Sequence, residues 1–174
     1  LLFNADSLLE LSFGGKTGDE LFDVAGSLQL AGKVNVIGFG DTGPGIYRIF
    51  KYANGLSGGL IAGTMPSGVD ASKISFLDEN QYYSLVNSNG AMLNIWDGAT
   101  GHNNGVIDGG DGIWNRTNDN WTQLPDYELN GSWNDGQFAF FGGTAGKVQV
   151  DNAEGMVTAS GIQFDTSGYE IAGL

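Results

Sequence analysis

The sequence predicts an all-β chain wound as a parallel solenoid, and three observations lead there. Polar and apolar residues alternate in short tetrads: ELSF (10–13), SLQL (27–30), KVNV (33–36), KISF (73–76) and KVQV (147–150), with GIQF (161–164) a looser copy. A period of two puts the apolar members on one face of a strand, so each tetrad reads as a strand with one wet and one buried face. Glycine supplies 30 of the 174 residues and proline only 3, without the period of collagen, which fits many tight turns between short strands. No segment completes a helical face.

The elements follow in chain order. Residues 8–13 open with a strand, and AGSLQLAGKVNV (25–36) holds two more, parted by Ala-Gly. The apolar stretch YRIFKYANGLSGGL (47–60) breaks on glycine before a helical face is finished. KISF follows, and ENQYYSLVNSNGAMLNIWD (79–97) reads as strands around an NSNG turn at 87–90. TAGKVQVDNAEGMVTASGIQF (144–164) repeats the theme of 25–36. The short strands and uneven turns favour a solenoid over the alternative, an antiparallel β-sandwich with strands of about 5–7 residues joined by hairpins. At about 20–25 residues per coil, the chain is expected to form about 7–9 coils. Its length fits one domain, residues 1–174.

Charge and composition exclude several classes. Twenty acids face seven bases, a net charge of −13, which disfavours nucleic acid and anionic membrane surfaces as partners. Zero cysteines exclude thiol catalysis, iron–sulfur clusters and cysteine-based zinc sites. No apolar run approaches the roughly 18 residues of a membrane-spanning helix. The chain opens on LLFNADSLLELSF, with no basic leader region, and closes on YEIAGL. Both ends read as strand, so the expectation is a piece excised from a longer protein.

A resemblance rests on residues 109–174. GGDGIWNRTNDNWT (109–122), GSWNDGQFAFFGGTAGKVQVD (131–151) and VTASGIQFDTSGYEIAGL (157–174) resemble the passenger-associated β-strand repeat of bacterial autotransporters. That pattern runs G-x-W-N, N-W, W-x-x-G-x-x-A-x-F-G, G-x-V-x-V, a Gly-Ile-x-Phe run and a closing Gly-Tyr-x-Ile. Gly112, Trp114, Asn115, Asn120, Trp121, Trp133, Gly136, Ala139, Phe141, Gly142, Gly146, Val148, Val150, Gly161, Ile162, Phe164, Gly168, Tyr169 and Ile171 fall on it in order. Residues 8–39, with a Gly-rich turn after Phe13, and 47–60 are similar to the coils that follow such repeats. GATGHNNGVIDGGDG (98–112) departs from any coil. The resemblance implies a right-handed parallel β-helix, secreted to the surface of a Gram-negative bacterium. It implies a non-enzymatic adhesin-like or stalk-like passenger segment. Its partners would be neighbouring coils of the same passenger and a host or bacterial surface ligand, and no cofactor is implied. The alternatives are a carbohydrate-active β-helix enzyme and a carbohydrate-binding module.

Candidate sites follow from that frame. The resemblance makes Trp114, Trp121 and Trp133 interior or corner-packing residues, with Phe141, Val148, Val150, Ile162 and Phe164 in the structural core. The rival reading is glycan contact, with Trp114 and Trp121 stacking on sugar rings and Asn115 and Asp119 as hydrogen-bond partners. Asp108 and Asp111 in DGGDG (108–112) partly match a calcium-binding nonapeptide, but the nine-residue repetition is missing, so a solvated turn is expected and no metal. His102 is the one histidine, in an Asn-Gly loop. No G-x-S-x-G elbow accompanies it and the acids are scattered, so no catalytic residue is expected. Three N-x-S/T triplets, at Asn115, Asn120 and Asn130, read as turn chemistry.

Overall fold

The structure is a computed structural model that describes residues 1–14, 19–40, 43–79, 81–123 and 129–174. They gather into two compact units, Leu1–Gly90 and Ala91–Leu174. The Gly-rich turn expected after Phe13 falls largely on residues 15–18, outside the described residues.

The first unit winds β1 (Leu8–Ser12), β2 (Phe22–Val24), β3 (Leu28–Leu30), β4 (Lys33–Gly38), β5 (Gly45–Tyr52), β6 (Leu56–Gly58) and β7 (Ile61–Ala62). Strands one turn apart stack in parallel: β1 on β4 on β7, β2 on β5, and β3 on β6. Leu9 pairs with Val34 and Leu11 with Val36, so successive tetrads superpose their apolar members. The chain advances 25 residues per turn at Leu8 to Lys33 and 28 at Leu28 to Leu56. Leu11, Leu28, Leu30, Val34, Val36, Tyr47, Ile49 and Phe50 close one buried core. Gly32, at φ +99°, turns the chain from β3 into β4, where a Cβ would stand 2.3 Å from the Ser7 carbonyl oxygen. Only glycine fits there, because Lys33 N–H must reach that same carbonyl.

One tetrad departs from the expected pattern. KISF enters β8 (Ile74–Glu79), which pairs antiparallel with β9 (Tyr82–Asn87), and β9 pairs antiparallel with β5. Ile74 and Phe76 therefore lie half-buried against the core rather than in a parallel rung. The reason is the connection: only residues 80–81 separate β8 from β9, and so short a link closes a hairpin and cannot carry the chain around a coil.

The second unit holds β10 (Leu93–Trp96), β11 (Gly112–Trp114), β12 (Trp121–Gln123), β13 (Asn130–Gly131), β14 (Gln137–Phe141), β15 (Lys147–Val150), β16 (Ala159–Phe164) and β17 (Glu170–Gly173). β10, β14 and β16 stack in parallel on one face, and β11, β15 and β17 on another. The antiparallel pair β12–β13 lies on the other edge of β10. Among the described residues eight strand pairs are parallel and four antiparallel, which decides for the solenoid over the sandwich. The rungs make about six turns, slightly fewer than expected. The advance reaches 45 residues between Leu93 and Phe138, so the same chain makes fewer coils.

The interior of the second unit is aromatic. Phe141 and Val148 are buried, and Val150 is half-buried on the same core. Ile162 and Phe164, expected in the core, are 47% and 46% exposed. They stand in the interior columns, Ile162 beside Ala139 and Phe164 beside Phe141, and the Phe164 ring stacks on that of Phe141 at 4.9 Å. β16 is the outermost rung of its sheet, so nothing among the described residues covers the far side of these two side chains.

Candidate functional site

Two features of the second unit bear on function: the tryptophan cluster and the loop that departs from the coil pattern. All four tryptophans of the chain, Trp96, Trp114, Trp121 and Trp133, pack with Phe141 in one cluster. Strands bring them together from distant positions: Trp96 ends β10, Trp114 ends β11 and Trp121 opens β12. Trp96 meets Trp121 edge to face at 5.1 Å, and Trp114 meets Trp133 the same way at 4.9 Å, the arrangement favoured by the ring quadrupole. Trp96 Nε1–H donates to the Gly110 carbonyl and Trp133 Nε1–H to the Thr158 carbonyl. The indole N–H groups of Trp114 and Trp121 have no oxygen or nitrogen acceptor and are enclosed by neighbouring rings, a setting for weak N–H···π contact.

This corrects the glycan-contact reading. Trp114 is 3% exposed and Trp121 1%, so neither offers a ring face to a sugar. Asn115 is buried too. Its Oδ1 accepts from the backbone N–H groups of Thr117 and Asn118 and closes the turn after β11. Of the four residues, only Asp119 is exposed. Asn120 is spent internally, its Nδ2–H donating to the Ile113 carbonyl.

The departing loop, residues 98–111, is built on one buried carboxyl. Asp97 directly follows Trp96 and is 0% exposed. Its Oδ1 accepts from the Asp108 backbone N–H at 2.7 Å and its Oδ2 from Asn130 Nδ2–H at 2.7 Å. Burial raises its pKa against the opposing pull of those two hydrogen bonds, and the Asp108 charge pushes the same way as burial. Asn130, in β13, then grips the loop twice more: its Oδ1 accepts from Asn103 N–H and its own N–H donates to Asn103 Oδ1, both at 2.8 Å. Asn104 Nδ2–H donates to Asp108 Oδ2 and His102 Nε2 lies 2.7 Å from the Gly98 carbonyl oxygen. Gly98, at φ +70°, lets the two ends of the loop touch, since a Cβ there would stand 2.0 Å from the Gly109 carbonyl oxygen.

The result is a rigid base with an exposed tip. Residues 99–106 are all exposed, while Ile107 is buried. His102 is at the tip, apart from any paired carboxylate and nucleophile. Asp108 is half-buried and committed to Asn104, and Asp111 accepts from the Lys147 N–H. Among the described residues no three His, Cys, Asp or Glu stand together. Of the two residues that organise the loop, Asp97 was not singled out in the sequence, and Asn130 only as the head of an N-x-S triplet read as turn chemistry. They are 33 positions apart and no local spacing joins them.

Among known proteins, the chain is 40% identical over 171 residues to the adhesin BmaC autotransporter of Brucella suis biovar 1 (strain 1330). The match takes in 92% of this chain, and the chain spans 5% of the length of that protein. No family model matches, and no solved structure matches significantly. The similarity reaches well beyond residues 109–174, and the β-solenoid is the fold that the passenger resemblance implies.

Proposed function

We propose, for a chain homologous to part of an autotransporter adhesin and folded as a β-solenoid, that it is a segment of a surface-displayed passenger. Its role is non-enzymatic: to extend the passenger and to present loop 98–111. The observation that carries this reading is the 40% identity over nearly the whole chain to a protein named for adhesion. Physics supports it. Stacked turns bury a continuous interior with only nearest-neighbour contacts, so length is gained turn by turn. Loops inserted between rungs then stand out from a fixed base, as residues 99–106 do.

The outer rungs support neighbouring turns of the same polypeptide as one partner. Phe22 on β2 and Leu8 on β1 are exposed in the first unit, as are Ile162, Phe164 and Ile171 in the second. Each sits on a strand at the open edge of its sheet, paired in parallel with its one neighbour, where another rung would continue both the ladder and the side-chain column. A surface ligand is the second partner, met by the loop tip.

The test is display. The chain, carried between solenoid turns of an autotransporter on a Gram-negative host, should be accessible to protease and antibody at the cell surface. It should promote attachment to host cells or to matrix. Replacing residues 101–106 with a Gly-Ser linker should abolish attachment and leave surface display intact. Attachment unchanged by that replacement would remove the loop from the role. Release of product from a panel of glycans and esters would replace the scaffold with an enzyme.

A further inference from the structure

We infer that loop 98–111 is a pH-responsive element: it is seated most firmly in acid and loosens as the pH rises, with Asp97 as the responsive group. The argument begins with geometry. Asp97 is sealed from water, yet among the described residues no lysine or arginine pairs with it. Two donors reach its carboxyl, the Asp108 N–H and Asn130 Nδ2–H, where an ionised carboxylate has about four lone-pair sites to satisfy. A buried charge without a counter-charge is costly.

The groups that face Asp97 set the direction. Asp108, on the loop, adds a second negative charge. His102, also on the loop, bears on Asp97 last and in the opposite sense to burial. Tyr169, before β17, holds its proton: burial pushes its hydroxyl up to about 12. The hairpin β12–β13 contributes Asn130, which carries no charge.

Opening the loop would expose Asp97 to water and return it to the ordinary carboxylate range, whereas the seated form holds it above that range, chiefly through burial. The seated form therefore binds the proton more tightly, and linkage requires that lowering the pH favours it. Protonating Asp97 thus seats the loop in acid. A ligand that needs the ordered tip would be bound more tightly there than at alkaline pH.

The experiment is amide hydrogen exchange of the 174-residue chain, read at the Asp108 and Asn103 N–H groups, whose acceptors are the side chains of Asp97 and Asn130. As the pH is lowered from about 7 through the ordinary aspartate range, near about 4, their protection factors should rise roughly threefold or more, while strand amides in β14 stay level. The Asp97→Asn variant should show flat protection over that range. His102→Ala should keep the rise. Flat or falling protection in the natural chain overturns the proposal, as does an undiminished rise in Asp97→Asn. Loss of the whole rise in His102→Ala alone assigns the effect to histidine and overturns the role of Asp97. Should Asp97→Asn fail to fold, the Asp97 carboxyl carbon is titrated by NMR in the natural chain. It should share a midpoint with the Asp108 amide, above that of the exposed aspartates, and separate midpoints would sink the proposal.

Discussion

The first unit keeps its turns nearly constant, at 25 and 28 residues, whereas the second advances 45 residues from Leu93 to Phe138 and then 23 from Phe138 to Gly161. Both nevertheless hold rung register, for Asn94 still faces Ala139 and Ala139 still faces Ile162. What fixes a rung is therefore the column of side chains beneath it and the backbone ladder, not the length of the connecting turn. Loop-closure entropy explains the tolerance: doubling a loop costs only about 0.6 kcal/mol, less than burying one methylene, worth about 0.8 kcal/mol. The second unit uses that freedom for the β12–β13 hairpin and for loop 98–111, and closes over both with a tryptophan cluster. The first unit has aliphatic and phenyl side chains in the same interior role.

The comparison can be broken at the tryptophans, where the largest effect is expected. Trp121→Ala removes a side chain 1% exposed that touches Trp96, Trp114, Trp133 and Phe141. It should cost about 3–5 kcal/mol in denaturant unfolding. In the first unit Val34→Ala, at 0% exposed, deletes far less volume and should cost clearly less. Equal costs would mean that the tryptophan cluster is not the keystone of its unit.

Much of this was legible in the sequence. Alternation in KVNV and KVQV predicted strands with Val34, Val36 and Val148 inside, and the short strands with uneven turns predicted that they stack in parallel. KISF carries the same alternation and lies in an antiparallel strand, because period two reports a face and is silent about the partner. The informative signal was the two-residue link to YYSLVN, a hairpin spacing. Ile162 and Phe164 are expected in the core and stand about half exposed, because burial also depends on whether a rung lies beyond, which no local pattern encodes. The candidate site was the least legible part. Loop 98–112 stood out as a departure from the coils and His102 as its lone histidine, but Asp97 and Asn130 meet only through the fold.

The position of a phenyl ring in its column sharpens the comparison further. Phe141 has rungs on both sides and Phe164 on one. Phe141→Ala should therefore cost about 3–5 kcal/mol, and Phe164→Ala about 1 kcal/mol, since only part of its surface is removed from water. Continuing the chain with further turns of the parent protein should raise the second figure toward the first, as thermal or denaturant unfolding would show. A Phe164→Ala cost that stays small in the longer protein would mean that no rung packs there.

High pH offers a smaller test of the same unit. The Tyr169 hydroxyl donates to the Gly142 carbonyl at 2.6 Å, and burial pushes its pKa up to about 12, above the ordinary tyrosine value of about 10. A raised folded-state pKa gives stability that is fully present below the unfolded value and is lost as pH rises through the folded one. The tyrosine should thus support the fold up to about pH 10, and the support should vanish by about pH 12. Tyr169→Phe should be less stable near neutrality and show a shallower loss between those values when melting temperature is followed against pH. A loss of unchanged steepness would place the alkaline sensitivity elsewhere, with Tyr52 the first candidate, since its hydroxyl is also raised to about 12, in part by Asp78.

The smallest effect is expected at the loop tip. His102 is exposed, and its Nε2 lies against the Gly98 carbonyl. Alanine there removes one solvent-accessible hydrogen bond and no packed surface, so stability at neutral pH should change by no more than about 0.5 kcal/mol. Attachment at neutral pH should be unaffected as well, because the tip is held through Asn103 and Asn104, not through the imidazole. A general base would behave differently. Its replacement would leave stability alone and erase a turnover, and that turnover would rise with pH as the imidazole lost its proton. Measuring attachment and glycan or ester turnover side by side on His102→Ala separates the two. Intact attachment with no turnover in either chain keeps His102 a passive part of a presented loop. A turnover present in the natural chain and absent from the variant would make the loop a reactive site and the tryptophan interior merely its support.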